Sequence, residues 1–142
     1  MRKSVMRAAS ALNTWIYRLS GGKLLGRFPS GAPVGLLTTT GRKSGRARTV
    51  PVLYLADGRD FILVASQGGA PTHPGWFLNL EADPKAELQI GPRRIPVTAR
   101  PVAEEERDRL WPRLVAMYRP YDDYQRRTTR RIPVVKLTPA GA

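Results

Sequence analysis

Asp57-Gly58 stands between two short apolar runs, residues 48–55 and 61–66. A dipeptide of this type accepts positive φ and turns the chain straight back, so the two runs form an antiparallel hairpin. The same grammar recurs along the chain. Residues 34–40 read as a strand ahead of that pair, residues 87–90 and 95–100 flank a Gly-Pro-Arg-Arg turn, and residues 132–137 supply a last strand. Pro51 lacks a ladder donor and places the second strand at an edge or a bulge. Short antiparallel strands leave exposed edges unless their sheet curls, so the expected fold is mainly β with helices: a small closed or half-closed barrel with helices packed outside.

Three helical stretches accompany the strands. Residues 74–80 start at a proline and offer Trp76, Phe77 and Leu80 for burial. Residues 104–118 carry the clearest helical pattern: three glutamates open it, favourable to the helix dipole, and Leu110, Leu114 and Met117 mark one face. Pro112 should bend this helix or mark a second start. Over residues 5–19, Val5, Ala9, Leu12, Ile16 and Leu19 form an apolar stripe with Trp15 beside it and Arg2, Lys3, Arg7 and Arg18 around it. Such a basic amphipathic helix can cover a core or lie on an anionic membrane. The glycine- and proline-bearing connector after it divides the chain into an N-terminal helix, residues 1–25, and a barrel domain, residues 26–142.

A chain of 142 residues is one domain by length, large enough to bury roughly 68–70% of its unfolded surface. It has no cysteine and one histidine, His73, which excludes disulfides, thiolate metal sites and cysteine nucleophiles and fits a reducing cytoplasm. No apolar segment approaches the about 20 residues of a membrane span, and no secretory core stands near the start. Lysine and arginine number 24 against 11 acidic residues, a net charge of +13 that attracts polyanions: nucleic acid, anionic lipid or an acidic cofactor. Nothing composes a nucleophile with a base, a carboxylate pair or a metal site. An enzyme built on this chain therefore needs an organic cofactor to carry its chemistry.

Three clusters are candidates for ligand contact. The turn after the first strand holds Gly41, Arg42, Lys43, Ser44, Gly45, Arg46 and Arg48. It is not a nucleotide phosphate loop, because Gly35 and Gly41 enclose five residues, Arg42 intrudes before Lys43, and a strand rather than a helix follows. Its glycines and amides could hold another anion, or it could be a soluble hairpin tip. The second cluster is the loop bearing Ser66, Gly68, Gly69 and, at its end, Trp76, where the glycines permit close backbone approach and the indole offers either a flat wall or a core residue. The third is Tyr118, Tyr121 and Tyr124, spaced by three around Pro120, which could wall a pocket for a flat oxygen-bearing molecule or pack as ordinary amphipathic residues. His73 has no partner visible in the sequence.

Together "LLTTTGRKSGRART", "VASQGGAPTHPGWFLNLEADPKAELQ" and "WPRLVAMYRPYDDYQRRTTRRIPVVKL" resemble the deazaflavin-dependent nitroreductase family of actinobacteria, and the likeness extends to "NTWIYRL" in the leading helix. The resemblance implies a split β-barrel of the flavin-reductase, FMN-binding type. It implies the deazaflavin coenzyme F-420, with FMN as second choice, and hydride transfer to a quinone or nitroaromatic acceptor. That coenzyme carries a phosphodiester and an oligoglutamate tail, a polyanion suited to the basic turn. By position Arg42, Lys43 and Arg48, with Ser44 between them, match residues that hold phosphate and tail; Ser66, Gly68, Gly69, Trp76 and Asn79 match those around ring and linker. Tyr118, Tyr121 and Tyr124 match tyrosines of the acceptor pocket, and with Ser66 they are the expected reacting-centre residues. Two positions depart from the family: Gln67 stands where lysine is common, and Leu53 where some relatives carry a pocket tyrosine, which favours quinone over nitro acceptors.

Two other classes compete. A non-catalytic binder of deazaflavin, flavin or fatty acid on the same barrel would retain ligand without turnover. A nucleic-acid-binding protein would use the +13 charge, but the sequence has no groove-reading motif and its charges are scattered rather than striped. Cytoplasmic residence, with peripheral contact to the inner face of the membrane through the leading helix, completes the expectation.

Overall fold

Between residues 47 and 57 the chain runs almost continuously extended, yet its two halves pair with different neighbours. The structure, a computed structural model, describes residues 31–140; the expected N-terminal helix over residues 1–25 lies outside them. Seven strands follow in order: β1 (Val34–Thr40), β2 (Ala47–Leu53), β3 (Leu55–Asp57), β4 (Asp60–Val64), β5 (Lys85–Ile90), β6 (Arg93–Pro101) and β7 (Val134–Pro139). The helices are α1 (Gly75–Ala82), α2 (Glu104–Met117) and α3 (Pro120–Arg127). All neighbouring strands are antiparallel, in the order β2-β1-β5-β6-β7-β4-β3.

That order sets β2 and β3 at opposite edges of one sheet, although Tyr54 alone separates them in sequence. A single residue spans no more than about 3.3–3.6 Å, so the sheet must curl until its edges meet. β3 pairs with β4 through Leu55–Ile62 and Asp57–Asp60. Continued, that register would set Tyr54 against Leu63 and Leu53 against Val64. Instead the chain swerves at Tyr54, whose amide donates to the Pro33 carbonyl at 3.2 Å, and Leu53 pairs with Val34 of β1. The result is a half-barrel with a wedge-shaped seam between β2 and the upper end of β4.

Strand alternation serves two cores. Leu63, Val135 and Leu137 join Leu37 and Leu88 against Phe77 and Leu80 of α1. Ile62 and Val64, one residue out of phase, face Leu110 and Leu114 of α2 and Tyr121 of α3. Lys136 shares the second face with Val134 and, nearly buried, pairs with Glu106 of α2 and at 3.8 Å with Asp60. That hydrogen bond from Lys136 holds the Glu106 carboxyl below its usual range.

Four sequence expectations are corrected. The second strand breaks at Tyr54, and the third ends at Val64, so Ser66 lies beyond it in helical backbone conformation. The last strand begins at Val134 rather than Ile132. Pro112 starts no second helix: α2 continues through it. Pro112 and Asp108 are both exposed, so the Asp108 carbonyl that loses its intrahelical donor can bond to water.

Asp57, at the β3–β4 turn, accepts from Arg109 at 3.1 Å and Arg113 at 2.8 Å, tying α2 to this hairpin. The Arg109 hydrogen bond, followed by that of Arg113, lowers its pKa from 3.8 to about 2. A carboxylate held below its unfolded pKa stabilises the fold above that value and loses the contribution as pH falls through the folded one. Asp57→Asn should therefore flatten the fall in melting temperature between pH 3.8 and about 2 relative to the wild type, measured by circular dichroism.

Candidate functional site

The seam holds a cavity of about 250 Å³. Val52 and Leu53 of β2 wall one side and Leu63 and Val64 of β4 the other, where β3 has run out. Ser66, Gln67 and Gly68 form its lip, Trp76 of α1 closes one end, and the three tyrosines stand opposite.

The lip has unusual backbone. Ser66 is right-handed helical at φ −79°, and Gln67, Gly68 and Gly69 follow with φ of 44°, 62° and 79°. For Gln67, which has a Cβ, such a conformation costs about 1–3 kcal/mol and persists only where surroundings enforce it. The Gly69 and Ala70 amides donate back to Ser66 and Gln67 carbonyls, whereas the amides of Ser66, Gln67 and Gly68 donate to no other described residue. Successive amides across a right- to left-handed junction form a concave, anion-accepting nest. Gly68 has open space where a side chain would stand, but a Cβ on Gly69 would meet the Tyr124 carbonyl oxygen at 2.8 Å. Gly69 is thus a packing residue against α3, behind the cavity wall.

Tyr118 caps the end of α2 in extended conformation, and Pro120 opens α3, which carries Tyr121 and Tyr124. Tyr121 meets both other rings edge to face, that of Tyr118 with centroids 5.0 Å apart, and the Tyr118 and Tyr124 hydroxyls are 3.2 Å apart. The hydrogen bond with Tyr124, and then burial, push the Tyr118 phenol up to about 12, while burial raises that of Tyr121. Both are neutral phenols near pH 7, able to donate a hydrogen bond.

The basic turn does not line the cavity: it joins β1 to β2 at the end of β2 away from Leu53. The Gly41 amide bonds to the Arg46 carbonyl at 2.8 Å, and the Ser44 hydroxyl accepts from the Arg46 amide, so Ser44 shapes the turn. Arg42, Lys43 and Arg48 are exposed. Asn79 is buried: its Oδ1 accepts from the Arg42 amide and guanidinium at 3.1 and 2.9 Å, and its Nδ2 donates to Thr39 Oγ1 at 3.0 Å. It therefore brackets the basic turn to α1, the helix that carries Trp76. Of the expected residues, the structure gathers Ser66, Gly68, Trp76, Tyr118, Tyr121 and Tyr124 at one cavity, while Arg42, Lys43, Ser44 and Arg48 do not line it and the turn that carries them is joined to α1 through Asn79. Asn79 and Gly69 lie behind these. Both departures, Leu53 and Gln67, line the cavity.

Sequence reasoning missed Arg130 and left His73 without a partner. Arg130 reaches back across the molecule to the lip and donates to His73 Nδ1 at 2.9 Å, while the imidazole packs on Phe77. Only a 57-residue sequence separation, closed by the fold, joins them. Among the described residues no group of His, Cys, Asp and Glu is placed to hold a metal.

The family model for F420H(2)-dependent quinone reductase matches residues 9–139. The chain belongs to this family. Another F420H(2)-dependent quinone reductase, from Mycobacterium tuberculosis, is 44% identical over 131 residues, 89% of this chain and 87% of that one. A solved F420-H2 dependent reductase, FDR-A, is 42% identical with a TM-score of 0.69, covering 74% of this chain and 93% of its own. The heme storage protein HutZ from Vibrio cholerae, 12% identical with a TM-score of 0.60 over 77% of this chain and 82% of its own, shares the fold alone. The half-barrel of this reductase family member is thus one that flavin-binding and heme-binding proteins also adopt.

Because the Tyr124 hydroxyl is the main cause of the raised Tyr118 pKa, Tyr124→Phe should bring one tyrosine titration down from about 12 toward 10.0, read as phenolate absorbance in the ultraviolet.

Proposed function

We propose that this chain passes hydride from reduced coenzyme F-420 to a quinone bound in the seam cavity. One observation carries the reading: a cavity walled by Val52, Leu53, Leu63 and Val64 has open backbone amides at its lip and neutral phenols in its wall, and an exposed cationic turn is tied through Asn79 to α1, the helix that supplies its Trp76. The residues fit the coenzyme in kind. Arg42, Lys43 and Arg48 suit its anionic phosphate and tail, the Ser66–Gly68 amides suit polar atoms of the ring, and Trp76 supplies a flat apolar face. The coenzyme, when bound, supplies the hydride.

The protein's own share is orientation, exclusion of water and proton donation. The Tyr118 and Tyr121 phenols, held neutral, can hydrogen-bond to an acceptor oxygen as it gains negative charge, and Val52, Leu53 and Val64 keep the acceptor's apolar face dry. Reduction of a quinone to a hydroquinone needs two electrons and two protons; the hydride brings both electrons and one proton, and a phenol backed by solvent brings the other. Leu53 removes one polar group from this wall, which supports quinones over nitroaromatic acceptors.

Each charge-assisted contact to the tail contributes about 1.5–3 kcal/mol, or about 10- to 100-fold in affinity. Replacing both Lys43 and Arg48 by alanine should weaken coenzyme binding by at least about tenfold, measured by coenzyme fluorescence, without lowering the melting temperature, because both side chains are exposed. A wild-type protein that binds the reduced coenzyme but gives no absorbance change with menadione would overturn the catalytic reading.

The reading extends to cytoplasmic residence with peripheral contact to the membrane, supported by the basic amphipathic pattern of residues 5–19 and the apolar nature of quinones. The full chain should co-sediment with anionic vesicles and be released as salt rises; equal sedimentation with neutral vesicles would count against it.

A further inference from the structure

We propose that Arg130 is a positioning residue that aims the lip amides into the cavity, an inference that rests on the proposed coenzyme site. Arg130 follows α3, about 60 residues from the lip in sequence. Its Nε donates to the Ala70 carbonyl at 2.8 Å, its Nη1 to the Ala65 carbonyl at 3.1 Å, and its Nη2 to the Ser66 carbonyl at 2.7 Å. Nη1 also meets His73 Nδ1 at 2.9 Å; a guanidinium only donates, so this nitrogen accepts. One side chain therefore gathers three carbonyls and a ring from a single loop.

Peptide planarity gives this clustering a direction. In a trans peptide the carbonyl of one residue points opposite to the amide of the next, and no peptide among the described residues is cis. Drawing the Ala65 and Ser66 carbonyls onto the guanidinium turns the Ser66 and Gln67 amides away from it. These amides belong to cavity-lining residues and are free of other described partners. The same anchoring enforces the left-handed conformation of Gln67, which an unrestrained loop would relax. The arginine is itself braced: Gln125 Nε2 donates to the Arg130 carbonyl at 2.9 Å, Gln125 Oε1 accepts from the Ile132 amide at 3.0 Å, and buried Arg107 donates to both Gln125 and the Ile132 carbonyl. A lysine could not substitute, because a point ammonium has no fork with which to bridge three carbonyls.

The test compares wild type, Arg130→Ala and Arg130→Lys by amide hydrogen exchange without coenzyme and by fluorescence titration with oxidised F-420. In both variants exchange at Gly69 and Ala70 should rise about tenfold or more while the β7 amides keep their protection, and coenzyme affinity should fall about tenfold. Millimolar methylguanidinium should restore affinity to Arg130→Ala and leave wild type unchanged. Unchanged loop exchange in either folded variant would overturn the proposal, as would a rise shared equally by the loop and β7, or accelerated loop exchange with unchanged coenzyme affinity. Should Arg130→Ala fail to fold, Arg130→Lys decides by the same two readouts. Failure of the wild type to bind F-420 would instead overturn the coenzyme site, and loop exchange would still report whether Arg130 holds the lip.

Discussion

The swerve at Tyr54 is the constraint on which the rest depends. Backbone groups in a sheet interior must be paired, and a strand can change partners only where it gives up some pairing. Here one extended run serves β1 with its first half and β4 with its second, closing the sheet by a covalent link while leaving Leu63 and Val64, paired with β7 on one side, without a strand on the other. The seam is the unpaired remainder of that compromise. Its strand walls are apolar because β2 and β4 carry consecutive apolar residues there, Val52-Leu53 and Leu63-Val64, and the flanking loop and tyrosines complete the lining. A ligand site thus follows from the way the barrel closes.

The charge of the chain divides into two populations with different work. Arg107 and Arg130 are drawn inward, burial lowers the pKa of each, and their guanidiniums satisfy carbonyls that loops would otherwise leave unpaired. Arg109 and Arg113 clamp Asp57. Lys43 and Arg48, by contrast, are exposed. Net charge alone made nucleic acid a plausible partner. Once the braces are set aside, the remaining exposed cations are spread over many elements, from Arg59 and Arg93 to Arg127, rather than aligned along one face for a duplex.

Much of the architecture was readable because it rests on local signals. The Asp57-Gly58 turn, the Gly91-Pro92 turn, the proline before α1 and the glutamates that open α2 each act over a few residues, and each element lies within a few residues of its expected place. The edge position of β2 followed from Pro51. Cavity residues Ser66, Gly68, Trp76 and the tyrosines were reachable through motif resemblance. Asn79 was not legible in its bracing role, because an amide that joins Thr39 to Arg42 looks in sequence like any polar residue of a short helix. His73 and Arg130 were harder still, since the contacts of both with each other and with the loop exist only once the fold brings distant segments together.

What the sequence by itself determined is most of the elements between residues 34 and 139, though not the helix α3 or the break that makes β3 a separate strand, together with the absence of any cysteine or histidine cluster for chemistry, the surplus of cations and the family to which the motifs belong. These are properties of composition, period and short-range turn geometry. Tertiary structure alone decided that β2 and β3 lie at opposite edges of one sheet, that Gly69 packs against α3, and that Arg130 turns a distant loop toward the cavity. Those outcomes depend on packing and hydrogen bonding between segments far apart in the chain, and no local pattern encodes which of many arginines will find three carbonyls waiting.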